Sequence, residues 1–162
     1  AARLVSVQVT GAIGQPGTVA VPAYTPVSRI MPLVGHILPQ GSARNITLFQ
    51  NGDRQIVDLY QSLLGLDAGV DPLVMNNARL HVGDQGGTVA VAGFVGRPAI
   101  FELAAGQTEI SSQELFRLAN IRLMAPGTKL DLLRFNDQGV PVSEPIAFGK
   151  VQMVQAGQAI QI

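Results

Sequence analysis

The chain has 162 residues, 47% of them hydrophobic, which is enough for one ordinary domain or two small ones with their own cores. Eleven Lys+Arg balance eleven Asp+Glu, so no excess positive field draws phosphate backbones or acidic lipid heads, and no nucleic-acid partner is expected. The absence of cysteine removes disulfides, thiolate metal sites and a cysteine nucleophile together.

The opening alternates, with Val5, Val7 and Val9 on one face and Ser6, Gln8 and Thr10 on the other, the period-two pattern of a half-buried strand. Gln15-Pro16-Gly17-Thr18 predicts a type II turn into a partner strand at Thr18–Val21. Thr25 is placed to cap a helix whose first position is Pro26, and Pro32 keeps that helix short or bent before Gly35. Asn45–Gln50 reads as a strand, Asn51-Gly52 as a tight turn and Arg54–Leu59 as the returning strand. A short helical stretch over Leu59–Gly65 and a final strand at Arg79–Val82 follow. Gly-rich Asp84-Gln85-Gly86-Gly87 marks a join.

Beyond the join the pattern recurs. Val7-Gln8-Val9-Thr10-Gly11-Ala12-Ile13-Gly14-Gln15-Pro16 is echoed by Val89-Ala90-Val91-Ala92-Gly93-Phe94-Val95-Gly96-Arg97-Pro98, at an offset of 82 residues (98 − 16). Ala99 stands where the first copy has Gly17 and predicts a different turn there. Ser111-Ser112-Gln113-Glu114 predicts a capped helix with Leu115, Leu118 and Ala119 inward and Gln113 and Arg117 wet. Ile46–Gln50 is answered by Leu130–Arg134, and Asn136-Asp137-Gln138-Gly139 supplies the second turn. Leu80-His81-Val82-Gly83-Asp84 is set against Val154-Gln155-Ala156-Gly157-Gln158, an offset of 74 (154 − 80) that implies a loss of about ten residues in the second copy. Two modules in tandem follow, at 3–85 and 88–162. Strands grouped around one crossover helix indicate an α+β architecture: two β-grasp, ubiquitin-like domains, each a small mixed sheet covering one helix.

Catalytic and metal chemistry find little support. His36 and His81 are the only histidines, without metal-ligand spacing; His36 reads as a partly buried helix-end residue and His81 as a water-facing strand residue. Neither a nucleophile elbow nor a phosphate-binding loop is present, and Ser111 and Ser112 are explained as helix caps. Asp67 and Asp71 are the nearest approach to a carboxylate cluster. No enzyme, metal or cofactor is expected. No apolar run reaches the roughly 18–20 uncharged residues of a membrane helix, and Ala1-Ala2-Arg3 lacks the apolar core of a secretion signal. The chain therefore reads as a soluble fragment trimmed to domain edges.

Val9, Gly11, Ile13, Pro16 and Gly17, then Ile46 and Leu48, Asp58-Leu59 and Gly83-Asp84, with Val91, Gly93, Val95, Pro98 and Gly157 in the second copy, make up a pattern. It resembles the SLBB domain, the soluble-ligand-binding β-grasp, in the tandem arrangement of outer-membrane polysaccharide export proteins. The resemblance implies a non-enzymatic periplasmic module of an outer-membrane-associated protein. Such a module would contribute to a subunit ring or conduit for capsule or exopolysaccharide. Its partners would be polysaccharide, copies of itself and inner-membrane polysaccharide export components. The alternative is a monomeric carbohydrate- or small-ligand-binding domain, and a third reading is an adaptor in an intracellular complex. Without Trp, the ring platforms for a sugar are Tyr24 and Tyr60, although packing accounts for each more readily than ligand contact does. A concave pocket lined by Tyr24, Tyr60 or Arg97 would favour the ligand-binding alternative, and a flat apolar side would favour ring assembly.

Overall fold

The computed structural model describes residues 2–66, 70–93, 95–121, 127–147 and 149–162. The chain divides into two compact units, Ala1–Gln85 and Gly86–Ile162, each with few and short helices around a mixed sheet.

In the first unit β1 (Leu4–Gly11) pairs antiparallel with β2 (Gly17–Pro22). The alternation of valines decides which face turns inward: Val5, Val7, Val9 and the opposing Val21 are buried. The expected type II turn is absent. Gly17 already pairs with Val9 in the ladder, and residues 12–16 form a longer loop in which Ile13 bridges Ile37. Helix α1 (Val27–Ile30) runs directly into a 3₁₀ turn, Met31–Val34, which takes Pro32 near its start where no amide donor is needed. Thr25 does not cap it, because its hydroxyl donates back to the Pro22 carbonyl. The Asp71 carboxylate serves instead, accepting from the Ser28 amide at 3.0 Å and from the Ser28 hydroxyl.

Strand β3 (Gly41–Gln50) turns at Asn51-Gly52, both with positive φ, into β4 (Asp53–Val57). A single helical turn α2 (Tyr60–Leu63) then leads to β5 (Ala78–Asp84), which lies parallel to β1 and antiparallel to β3. The sheet order is β2-β1-β5-β3-β4. One side of it, with Leu48, Leu80 and Val82, packs against Val27, Ile30 and Val34 in a continuous core.

The second unit contains β6 (Thr88–Ala92), β7 (Ala99–Glu102), β8 (Glu109–Ser111), α3 (Ser112–Leu118), β9 (Leu130–Phe135), β10 (Pro141–Ile146), β11 (Met153–Gln155) and β12 (Ala159–Gln161). Its sheet runs β10-β9-β12-β6-β7, the order of the first read from the other edge, with β12 parallel to β6. The Ser111 hydroxyl accepts from the Glu114 amide at 3.2 Å, while the Glu114 carboxylate turns to Arg117 instead of closing the capping box. Ser111→Ala is expected to lower stability by ~1 kcal/mol, read as a fall in the urea midpoint at constant slope.

The two units share one contact in detail. Gly11 and Gly93 both hold a left-handed φ, and a Cβ on either would fall onto a carbonyl oxygen, that of Val82 in one unit and of Ile162 in the other. Val82 therefore corresponds to Ile162 at an offset of 80 (162 − 82), which corrects the offset of 74 expected from Val154. Val154 belongs to β11, which pairs with β8 ahead of α3, as Leu73 bridges Pro26 ahead of α1. Val154-Gln155 and Ile160-Gln161 share the same aliphatic-polar pattern, and only strand pairing separates them.

The loop after β1 docks on the helix end in each unit. In the first, the Gln15 amide donates to the Val34 carbonyl at 2.8 Å and that of Gly14 to His36. A Cβ on Gly14 would stand 2.6 Å from the Gly35 oxygen, so only glycine permits this approach. Gly35 and Asn120 hold the left-handed position that ends the helical segments.

Candidate functional site

Because Val7 and Val9 face the core, Gln8 and Thr10 of β1 face outward, and the same parity turns Arg79 and His81 of β5, Thr47 and Phe49 of β3 and Arg54 of β4 to the outer side. Register sets them in rows. Gln8 stands beside Arg79, Arg79 beside Phe49 and Phe49 beside Arg54; in the next row Thr10, His81 and Thr47 align. The Arg79 guanidinium lies over the Phe49 ring at 5.3 Å from its centroid, and Thr10 Oγ1 is 2.9 Å from His81 Nδ1. Gln8, Thr10, Phe49, Arg79 and His81 line a hollow of about 290 Å³. No carboxylate occupies a position in these rows. The site thus offers amide, hydroxyl and imidazole groups and an aromatic ring beside cations.

The corresponding row of the second unit has lost this equipment. Ile100, Ala90, Ala159 and Leu133 are aligned across β7, β6, β12 and β9, with Ser143 beyond. Ile100 is 70% exposed and Phe135, further along β9 on the same side, 67%. This row is apolar, while the next row of the same face sets Ala92, Gln161 and Asp131 side by side. The shifted ionisable groups also lie in this unit, away from the polar rows. Arg134, by its hydrogen bond across β9 and β10, holds the Glu144 carboxyl below the usual carboxylate range, and the Glu114 carboxylate raises Arg117. The contribution of Glu144 to stability is therefore complete above the ordinary carboxylate range and is lost as the pH falls through the lowered value.

Tyr24, just past β2, is exposed and holds φ 65°, fixed by its amide donating to the Val74 carbonyl at 3.0 Å. It lines a separate hollow of about 350 Å³ with Arg3, Ala23, Val74, Met75 and Asn76. Tyr60 follows β4, at the opposite edge of the sheet, and does not line that hollow. Its ring lies under the Arg44 guanidinium at 5.1 Å, and its amide donates to Asp58 Oδ1. Arg97 belongs to the second unit, where its Nη1 donates to the Leu118 carbonyl at 2.9 Å, at the helix end that attracts a cation. Tyr24 and Tyr60 are thus not brought together. Of the two histidines, His81 faces water, but His36 is exposed rather than partly buried, since it follows the left-handed Gly35 away from the core. Asp67 lies outside the described residues, and Asp71 is engaged as the α1 cap. Among the described residues, no three His, Cys, Asp or Glu side chains gather as a metal site would require, and no helix is long and apolar enough to cross a membrane.

Gln8, Phe49, Arg54 and Arg79 were not separable from the sequence as a site. Alternation places Gln8 and Thr10 outward, yet strands β1, β5 and β3 meet only through pairings over 30 residues apart or more, and register alone brings Arg79 onto Phe49.

The family model of the SLBB domain matches residues 6–58, so this stretch of the chain is similar to SLBB domains. SLBB domains are soluble-ligand-binding domains found in periplasmic polysaccharide export proteins. The matched stretch includes Gln8, Thr10, Phe49 and Arg54, and Arg79 and His81 lie beyond it. Comparison with curated proteins gives no match.

Proposed function

We propose that the chain is a non-enzymatic module of a bacterial capsule or exopolysaccharide export protein, working in the periplasm as part of an outer-membrane-associated assembly. Its first unit meets the polysaccharide and its second packs against neighbouring copies in a ring or conduit. The observation that carries this is the divergence of one duplicated sheet face: Gln8, Arg79 and Phe49 in the first unit against Ala90, Ala159 and Leu133 in the second. A polar row beside an aromatic ring suits a hydroxylated polymer, and a flat apolar row suits a protein surface. Both units are read as β-grasp SLBB domains, at 3–85 and 88–162. The shared strand order with a parallel central pair and the matched Gly11 and Gly93 contacts support that assignment. Inner-membrane export components are the further partners of the complete protein.

An amide-shift titration of the chain with capsule and exopolysaccharide oligomers, repeated over a protein-concentration series, tests the division. Saturable sugar shifts are expected at Gln8, Thr10, Phe49 and His81, and concentration-dependent shifts at Ile100, Leu133 and Phe135. Sugar shifts centred instead on Tyr24, with no concentration dependence, would establish the monomeric carbohydrate-binding alternative, for which the Tyr24 hollow speaks. Absence of any sugar response would end the polysaccharide-binding reading.

A further inference from the structure

We infer that the outer face of the first sheet selects acidic saccharides, with Arg79 and Arg54 receiving carboxylates on either side of a pyranose stacked near Phe49. The inference rests on the proposed polysaccharide-binding role and names the substrate class of that same surface.

The chain is neutral as a whole, so a row with cations and no acid is a local imbalance. Four other arginines are engaged: Arg44 with Asp58, Arg117 with Glu114, Arg134 with Glu144, and Arg97 with the Leu118 carbonyl; Arg3 and Arg29, which are not, lie outside the polar rows. Arg54 and Arg79 have no carboxylate or carbonyl partner within the described residues, and Arg79 instead rests on the Phe49 ring. That contact holds the guanidinium in place while leaving its N–H groups for a ligand, and a guanidinium fork binds a carboxylate through two parallel hydrogen bonds. Strand spacing separates the Arg79 and Arg54 backbones by about 10 Å across Phe49, a span that an extended disaccharide bridges. Gln8 and Thr10, beside Arg79 and His81, supply the uncharged donors and acceptors that hydroxyl groups require. A neutral glycan would use the ring and the hydroxyl-binding groups and leave both cations without a partner.

The test is an amide-shift and calorimetric titration of the whole chain with trigalacturonate, the uncharged galactotriose and tripolyphosphate. Trigalacturonate is expected to shift Gln8, Thr10, Phe49 and Arg79, to weaken with salt, and to lose about tenfold in affinity in Arg79→Gln and severalfold in Arg54→Gln. Phe49→Leu should weaken trigalacturonate more than tripolyphosphate, because both lose the support under Arg79 and only the saccharide also loses the ring. Both arginine changes lie on the exposed face, so their folding is checked by unchanged amide spectra elsewhere. Equal affinity for galactotriose at the same residues would overturn the acidic selection while leaving the polysaccharide-binding role intact. Equal affinity for tripolyphosphate with no effect of Phe49→Leu would reduce the face to an unspecific cation pair and overturn it. Uronate shifts gathered around Tyr24 would also overturn it. Failure of all saccharides, including the capsule oligomers above, would remove the underlying role itself.

Discussion

Gly11→Ala is expected to destabilise the first unit by about 3–5 kcal/mol, most of what holds a domain of this size together. Two effects add. Gly11 stands at φ +94°, where an L-residue is strained, and its added Cβ would meet the Val82 carbonyl, whose oxygen accepts the Ala12 amide at 2.9 Å. The obstacle is backbone, so no side-chain rotation relieves it, and the parallel β1–β5 pairing at the centre of the sheet must part. Gly93→Ala places the same methyl against the Ile162 carbonyl in the second unit. Urea unfolding followed by amide spectra is expected to show first-unit signals lost early in Gly11→Ala while second-unit signals keep their midpoint. Gly93→Ala should do the reverse. A fall of under about 1 kcal/mol for Gly11→Ala would mean that β5 slides aside freely and that the glycine is no determinant of the fold.

What could be read from the sequence follows the range over which each signal acts. Valine alternation in β1, the Asn51-Gly52 turn and the Ser111 cap are local, and each appears as the sequence predicts. Thr25 was misassigned because the group that caps α1, Asp71, is 43 residues from Ser28. The C-terminal marker was misaligned because Val154 and Ile160 are both fully buried strand valine or isoleucine, and only pairing with β8 or β6 tells them apart. The polar face is a register property of the same kind: Arg79, Phe49 and Arg54 are unremarkable singly and become a row only when three strands are aligned. Aromatic content pointed instead to Tyr24 and Tyr60, and for Tyr60 the ring has a structural neighbour in Arg44.

Asp58→Ala is expected to cost the first unit about 2–3 kcal/mol. Arg44 sits on β3 with only 8% of its side chain exposed, its Nε donating to Asp58 Oδ2 at 3.1 Å and its guanidinium against the Tyr60 ring. Removing the carboxylate takes away the counter-charge 3.1 Å from the buried Arg44 Nε and the acceptor of the Tyr60 amide, which opens α2 and donates to Asp58 Oδ1 at 3.0 Å. The loss falls short of the ~3–5 kcal/mol of a fully buried broken pair because Asp58 is 37% exposed and water can enter beside Arg44. Asp58→Asn keeps an acceptor for the Tyr60 amide and should cost less. Arg44→Met removes that cation, so Asp58→Ala made in that background should cost ~1–2 kcal/mol less than in the native chain. Urea midpoints of the four proteins of the cycle supply the comparison. Equal costs in both backgrounds would show that Arg44 and Asp58 are not coupled.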